Sequence, residues 1–178
     1  RSLHPLGEHS LLAKLLVQKG ANVNHTDEET GMTALMHAVL KSSFDVVEMC
    51  CESKADMTFK DRSGKSGLSY LLESEEPYIS NFGIEAIQRM TKEQIEGADN
   101  QIAAKAVRKN NVQLVRELVD KNVSFEHKDT TNGNSLMHIA AKNNNLEIVQ
   151  LLVKRGLKNG GNVNKEGRIP SDLTTNQL

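Results

Sequence analysis

Apolar residues recur three and four positions apart in three short segments of the chain. The segments are Phe44–Cys51, Val112–Val119 and Leu146–Val153, and polar residues occupy most of the positions between the apolar ones. This spacing places the apolar side chains on one face of an α-helix. The pattern therefore predicts short amphipathic helices, each of which buries one face against a neighbour.

The same features return along the chain at a fixed interval. Ala106 and Ala140 are one interval apart, as are Gly133 and Gly167, and Ala38 lies two intervals before Ala106. The interval is about 34 residues, a length typical of proteins built from stacked repeats, because one short unit cannot bury its apolar face alone. The chain is therefore predicted to be a repeat protein.

Each unit is predicted to contain two helices separated by a turn. A hydroxyl residue stands where it can cap the first helix, and the turn has polar residues that tolerate left-handed backbone. The capping residues are Thr33, Ser66 and Ser135, and the turns are residues 41–43, 109–111 and 143–145. A small alanine in the first helix permits close approach of another helix.

Taken in order, these motifs resemble the ankyrin repeat. Residues 31–38 (GMTALMHA) and 133–140 (GNSLMHIA) are similar to its first helix, residues 146–153 to its second helix, and residues 20–24 (GANVN) to its hairpin start. The resemblance covers nearly the whole chain and implies an all-α ankyrin-repeat solenoid of stacked helix-turn-helix units with hairpin-like loops. His138 matches the family's structural histidine, which is expected to form hydrogen bonds within its own turn.

Residues 1–178 are therefore predicted to form one ankyrin-repeat domain. Its units are residues 1–25 (truncated, with a second helix from Leu11 to Val17), 26–60, 61–92, 93–127 and 128–165, and a partial cap at 166–178. The third unit is irregular, because an acidic insertion and Pro77 follow its first helix and its hairpin signature is missing. A capping-box pattern begins at Thr91. One continuous stack and two sub-stacks that meet near residues 91–98 both fit the sequence.

Composition and charge narrow the classes of partner. Lys and Arg number 22, Asp and Glu number 23, the formal net charge is −1, and aromatic residues make up 3% of the chain. Such a chain is not attracted as a whole to nucleic acid or to an anionic membrane, and no apolar run approaches the roughly 20 residues of a membrane span. We expect neither a nucleic-acid partner nor membrane insertion.

The two cysteines, Cys50 and Cys51, are adjacent and lie at apolar positions of a predicted helix. They have neither a disulfide pattern nor metal-ligand spacing, so we expect buried free thiols. Free thiols suit a reducing compartment and favour the cytoplasm or the nucleus. The chain begins at Arg1 without Met or a signal pattern, and we expect either a segment cut from a longer protein or a modified start.

The sequence has no catalytic motif. Gly64-Lys65-Ser66 carries the last three letters of a phosphate-binding loop, but Phe59 stands where that motif requires its first glycine. The carboxylates of residues 73–76 lack calcium-loop spacing, and the six histidines are dispersed. The sequence therefore predicts a protein that is not an enzyme and that holds no cofactor and no metal.

The resemblance implies a partner-binding surface made of hairpin tips and first helices. At the tip position after the family asparagine stand His25, Phe59, His127 and Lys165, and the first three are followed by Thr26, Lys60 and Lys128. Aromatic anchors beside cations are frequent hot spots of protein interfaces, so these residues are candidates for contact with a protein partner. The alternative is that they belong to ordinary solvated turns.

A second column of candidates lies at the ends of the first helices and consists of Lys41, Arg108, Lys109 and Lys142. A basic stripe at these positions suits an acidic peptide or partner. The alternative is that each cation only stabilises the C-terminus of its helix, by about 0.3–1 kcal/mol. The resemblance also implies that Asn24, at the hairpin asparagine position, is a candidate for hydroxylation.

These observations favour a monomeric, non-catalytic protein-interaction module or scaffold. Two alternatives stay open. One is a regulatory, autoinhibitory or targeting segment of a larger enzyme or channel, which the full-length reading frame would reveal. The other is a sensor for an anionic small molecule that uses the ring-bearing tips together with the basic residues, which calorimetry would detect.

Overall fold

The computed structural model describes residues 8–158 and 163–174 of the 178-residue chain. The expectation about the chain start, and the last four residues of the predicted cap, lie outside these ranges. The described residues form ten α-helices, one 3-10 helix and no β-strand, which confirms the all-α prediction. The elements are α1 (Glu8–Gln18), α2 (Ala34–Leu40), α3 (Phe44–Glu52), α4 (Gly67–Glu73), α5 (Pro77–Arg89), α6 (Lys92–Ala98), α7 (Ile102–Arg108), α8 (Val112–Asp120), α9 (Leu136–Lys142), α10 (Leu146–Lys154) and the 3-10 helix Pro170–Leu173.

The chain divides into two compact units, residues 1–99 and residues 100–178. In the first unit, the first helices α2 and α4 contact each other, and the second helices α1, α3 and α5 contact in series. Each first helix also packs on the second helix that follows it, α2 on α3 and α4 on α5. The unit therefore has two layers of helices with the apolar faces buried between them.

The second unit repeats the same arrangement. First helices α7 and α9 contact each other, second helices α8 and α10 contact each other, and α7 packs on α8 as α9 packs on α10. The 3-10 helix packs on α9, where a further first helix is expected in an ankyrin stack. Pro170 of the 3-10 helix is buried.

The predicted hydroxyl caps all form. The side-chain oxygens of Thr33, Ser66 and Ser135 accept hydrogen bonds from the backbone N–H three residues later, at 3.4, 3.2 and 3.4 Å. Each bond satisfies one of the N–H groups that the first turn of a helix leaves without a partner. The caps fix the first residue of α2, α4 and α9.

The cysteines lie in the core of the first unit, as predicted. Cys50 is fully buried and Cys51 is 8% exposed, and both are free thiols. Burial raises the pKa of Cys50 to about 11. Burial, with the nearby Cys50, raises the pKa of Cys51 to about 12. The thiols are therefore protonated at neutral pH and pack as small apolar side chains.

The irregular third repeat has a clear local cause. Pro77 is the first residue of α5, where its missing N–H costs no helical hydrogen bond. After α5 the backbone turns at Met90 in an extended conformation, and the capping box of Thr91 and Gln94 starts α6 at once. No hairpin separates these helices. α6 contacts α4 and lies within the first compact unit, with Ile95 and Ala98 buried.

Candidate partner-binding surface

Three hairpin loops carry the predicted tip residues. Isolated antiparallel bridges join Thr26 to Thr33, Lys60 to Ser66 and Lys128 to Ser135. In each hairpin the first residue of the bridge is one of the predicted residues. The residue directly before it carries the predicted ring. The pairs His25–Thr26, Phe59–Lys60 and His127–Lys128 are therefore structurally equivalent.

The outermost turn of each hairpin lies just beyond these pairs. It begins at an aspartate whose carbonyl oxygen accepts from the N–H of a left-handed glycine. The N···O distances are 2.9 Å for Asp27 and Gly31, 3.0 Å for Asp61 and Gly64, and 2.8 Å for Asp129 and Gly133. The predicted residues thus lie on the arm that enters the turn rather than at its outermost point.

The placement of Lys165 differs from the prediction. The carbonyl of Asn164 accepts from Gly167 N–H at 3.0 Å, so Asn164 occupies the position of the turn aspartates. Lys165 therefore lies inside the turn and is not equivalent to the three rings. Its side chain donates to the carbonyl of Thr130 at 2.6 Å. Arg62 in the first unit does the same with the carbonyl of Glu28. Each of these cations ties its turn to the preceding hairpin.

The turn aspartates are residues that sequence reasoning missed as a set. Hydrogen bonds from Thr30 hold the pKa of Asp27 far below its ordinary value, with a further contribution from His37. Burial opposes ionisation of Asp61, but hydrogen bonds from Ser63, Tyr70 and Lys65 together lower its pKa. The backbone N–H of Thr131 lowers the pKa of Asp129. The signal was present in the sequence, because Asp61 follows Asp27 by one repeat interval and Asp129 follows Asp61 by two.

The entering arms expose much of the predicted set. Phe59 is 40% exposed, and His25, Lys60 and Lys128 are also exposed. Thr26 and His127 are half-buried. A large apolar side chain left in solvent beside an exposed lysine is the most distinctive feature of this surface.

The predicted column at the ends of the first helices is exposed as well. Lys41 and Lys109 are the C-cap residues of α2 and α7, and Arg108 and Lys142 are the last residues of α7 and α9. All four are exposed. Their positions near helix C-termini are also those at which a cation stabilises a helix.

Arg108 connects the two predicted groups of residues in the second unit. Its Nη2 lies 3.0 Å from Nε2 of His127 and 3.9 Å from Oδ2 of Asp129. In the first unit, His37 on α2 makes a corresponding contact with a turn carboxylate, 2.8 Å from Oδ2 of Asp27. Arg108 and His37 thus each connect a first helix to a hairpin. The negative charge of Asp129 partly offsets the positive charge of Arg108.

His138 has the structural role that the resemblance implies. It is fully buried, and its Nδ1 accepts from Ser135 N–H at 3.1 Å. The other ring nitrogen, Nε2, therefore carries the proton and donates to the carbonyl of Arg168 at 2.8 Å. In the first unit the corresponding positions hold Met36, whose sulfur lies 3.5 Å from Thr33 N, and Ser69.

Asn24 links two neighbouring loops of the first unit. It is half-buried, and its Oδ1 accepts from Asp56 N–H at 2.7 Å. The prediction that Asn24 is hydroxylated stays a prediction. Within residues 8–158 and 163–174, no cluster of three or more His, Cys, Asp or Glu side chains is arranged to hold a metal ion. No helix of these two ranges has the length and apolar character needed to cross a membrane.

Sequence profiles decide the family. A profile described as ankyrin repeats in three copies matches residues 78–166, half of the chain. A second profile, described as ankyrin repeats in many copies, matches residues 7–49. The chain belongs to the ankyrin-repeat family. Ankyrin repeats are protein-interaction modules, generally without catalytic activity, so the family indicates protein partners.

Two curated proteins contain a segment similar to this chain. Human transient receptor potential cation channel subfamily A member 1 is 27% identical over 191 residues, covering 85% of this chain and 17% of the channel. Zebrafish ankyrin repeat and SAM domain-containing protein 6 is 27% identical over 145 residues, covering 79% of this chain and 19% of that protein. The chain thus spans less than a fifth of either relative.

Solved structures confirm the ankyrin-repeat fold. The ankyrin repeat protein EF0377 superposes with a TM-score of 0.62 at 17% identity, covering 93% of this chain and 87% of the other. An ankyrin repeat domain from Acinetobacter baumannii AYE gives 0.63 at 23% identity, covering 91% and 83%. The ankyrin repeat domain of Bcl-3 gives 0.55 at 20% identity, covering 90% and 71%.

Proposed function

We propose that this ankyrin-repeat domain is a non-catalytic binding module or scaffold. It binds a protein partner through the hairpin arms that enter the turns and through the ends of its first helices. The observation that carries the proposal is Phe59, 40% exposed on a hairpin arm beside the exposed Lys60. An exposed large apolar side chain is a candidate anchor for an interface. The equivalent pairs at His25 and His127 extend the surface within each compact unit.

The partner segment is proposed to be acidic. Lys41, Lys109 and Lys142 are exposed at helix ends and, within the described part of the chain, pair with no carboxylate. Arg108 is already held near Asp129, so within this column the three lysines are the cations more available to a partner. Their attraction to an acidic segment weakens as salt screens it, over a Debye length of about 10 Å at 0.1 M salt.

The test compares partner recovery by the intact chain and by a quadruple variant with Phe59→Ala, Lys60→Ala, His127→Ala and Lys128→Ala. Loss of the partner is expected, because removal of hot-spot side chains costs more than about 1 kcal/mol each. The matched control is Gln113→Ala with Lys154→Ala, two exposed residues on the second helices α8 and α10. Equal recovery by the intact chain and the quadruple variant would show that the surface is wrong.

A charge-reversal pair tests the acidic partner separately. Lys41→Glu and Lys142→Glu should weaken binding and flatten its dependence on salt concentration, since both remove attraction to carboxylates. Arg108 is left unchanged because reversing it would also break its contacts with His127 and Asp129. Unchanged affinity and salt dependence would remove the acidic partner from the proposal.

The oligomeric state of the module, its compartment and its place in a longer protein are further parts of the proposal. We propose that the chain is a monomer, and that it works in the cytoplasm or nucleus because Cys50 and Cys51 are free thiols in its core. The match to part of a human cation channel supports a second candidate, a regulatory or targeting segment of a larger channel or enzyme. The full-length transcript distinguishes the two, since a membrane or catalytic region in the same reading frame favours the second.

A further inference from the structure

The first compact unit contains a groove next to the hairpin arms described above, since its lining residues Asn24 and Thr58 directly precede His25 and Phe59. It has a volume of about 590 Å³ and is open to solvent. One wall is the loop of residues 54–58, and the other is the corner where α5 meets α6. Sites of about 300–1,000 Å³ are typical of ligand pockets.

The groove exists because the third repeat lacks a hairpin. The loop of residues 54–58 is tied on one side to the preceding loop, through Asn24 and the N–H of Asp56. On its other side it faces Arg89, Met90 and Gln94 at the α5–α6 corner, where a regular repeat would place its own loop. The departure of the sequence from the family pattern thus leaves space against one loop.

Apolar and polar groups share the lining of the groove about equally, and two of the polar residues are cations. Six side chains line it with carbon and sulfur: Cys51, Ala55, Met57, Phe82, Ala86 and Met90. Lys54 and Arg89 stand at its edge and are exposed. In the described part of the chain neither cation is paired with a carboxylate.

Two carboxylates near the groove are engaged elsewhere. Oδ1 of Asp56 accepts from the backbone N–H and the hydroxyl of Thr58, at 2.8 and 2.6 Å. Glu85 lies one helical turn before Arg89, and its Oε1 is 3.4 Å from Nδ2 of Asn81. These groups, together with Glu48, whose charge acts on Cys51, reduce the positive field at the rim but form no ion pair with either cation.

Lys54 occupies a backbone conformation that disfavours lysine. Its φ is +58°, and the residues at the same place in other repeats are Gly20, Asn122 and Gly156, with φ of +92°, +61° and +100°. A left-handed conformation costs a residue with a Cβ about 1–2 kcal/mol relative to glycine. Strain of this kind is found at functional sites. A lysine held there at the edge of a groove suggests that its charge is used.

We propose that this groove docks a partner peptide that inserts a large apolar side chain and places an adjacent carboxylate between Lys54 and Arg89. The inference rests on the proposed function, since it names a second contact for the same class of acidic protein partner. Charge complementarity favours the acidic peptide, and the open side of the groove permits a continuing main chain. The walls need little rearrangement, because the loop and the α5–α6 corner are each fixed by hydrogen bonds.

The methionines give a direct test in the full chain. Of the six methionines, Met57 and Met90 line the groove and Met137 lies in the second unit. Methyl-labelled protein is titrated to millimolar concentration with three peptides that share glycine–serine flanks and carry Leu-Glu-Phe-Asp, Leu-Lys-Phe-Lys or Ser-Glu-Ser-Asp at the centre. We expect the Met57 and Met90 methyl resonances to shift with the first peptide alone, and Met137 to stay in place.

Variants separate binding from folding. Lys54→Gly and Arg89→Gln should each weaken the first peptide up to about fivefold, the usual effect of an exposed ion pair. Lys54→Gly relieves backbone strain, so a loss of binding in that variant is not a loss of fold. Lys154→Gln, the same change of charge on α10, is the control and should bind as the wild type does.

Failure of the groove is distinguishable from failure of the proposed function. The groove assignment would be overturned if the Met57 and Met90 resonances did not shift. It would also be overturned if the lysine-containing peptide bound as well as the first peptide. The hairpin surface is judged by partner recovery with the Phe59 quadruple variant, which substitutes no residue that lines the groove. Suppose that the quadruple variant no longer recovers the partner and that the Met57 and Met90 resonances do not shift. The proposed function would then stand, and only the groove assignment would be removed.

Discussion

At the scale of single residues, equivalent positions of the repeats differ in how well the side chain suits the backbone. The second residue after each second helix is left-handed in four repeats, and only Lys54 among them is neither glycine nor asparagine. The sequence period locates these positions, but the cost of each residue depends on φ, which only the structure supplies. Lys54 is therefore a place where stability can be gained.

Replacing Lys54 by glycine should stabilise the chain by about 1 kcal/mol, because glycine adopts positive φ without strain. The measurement is the free energy of unfolding in urea. Lys41→Gly is the matched control: Lys41 is also a helix-end lysine, but its φ is −90°. Glycine there should destabilise the chain by about 0.5–1 kcal/mol through its larger unfolded-state entropy. Stabilisation by both changes, or by neither, would contradict the assignment.

The turn aspartates predict how stability changes with pH. The pKa of Asp27 is lowered in the folded state from its ordinary value of 3.8, mainly by hydrogen bonds from Thr30. A depressed folded-state pKa stabilises the protein above the unfolded value and stops doing so as pH falls through the folded value. Stability should therefore fall as pH drops below about 4. In Asp27→Asn this fall should be smaller, as urea unfolding across pH 3–7 would show. Superimposable curves would count against it.

At the scale of elements, the caps and the apolar period fix where helices begin, while packing decides which small residues are required. Two glycines lie inside helices, Gly83 in α5 and Gly97 in α6. By propensity alone the two glycines look alike, since each should weaken its helix. The structure separates them, because Gly83 faces α4 and Gly97 faces solvent.

Alanine should therefore have opposite effects at these glycines. A Cβ on Gly83 would lie 2.7 Å from Cδ2 and 3.0 Å from Cγ of Leu72, so Gly83→Ala must displace a packed side chain. We expect a loss of about 1–3 kcal/mol from overpacking, reduced by the gain in helix propensity. A Cβ on Gly97 meets nothing within 4 Å. Gly97→Ala should gain about 0.5–1 kcal/mol. Thermal unfolding of both variants checks the signs, and equal shifts would refute the packing argument.

At the scale of the whole molecule, the repeat period organises each compact unit into two helical layers. The family pattern predicted the paired helices of each repeat and also the residues that cap α2, α4 and α9. It missed the turn aspartates and misplaced Lys165, because hairpin register depends on which N–H reaches which carbonyl. It also left open whether the insertion near Pro77 interrupts the stack, since that depends on how α5 and α6 pack.

Four leucines of α1 are exposed and could form a contact between two copies of the chain. Leu11, Leu12, Leu15 and Leu16 on α1 are 54%, 54%, 50% and 52% exposed. An 11-residue helix is about 16 Å long, and we expect its exposed face alone to be smaller than the roughly 800 Å² that each partner of a stable complex buries. Sedimentation equilibrium should therefore give the mass of one chain at micromolar concentration. Leu12→Gln with Leu16→Gln should leave it unchanged. A dimer that this double variant dissociates would make the monomer proposal wrong.

The sequence by itself determined the repeat period, the helical pairs, the hydroxyl caps and the buried cysteines, because each depends on neighbouring residues or on a regular pattern of apolar side chains. Only the tertiary structure decided that Arg108 contacts His127 and Asp129, and that a basic-rimmed groove opens beside Lys54. Those features join residues from different elements, and the distance between such residues is set by packing rather than by their order in the chain.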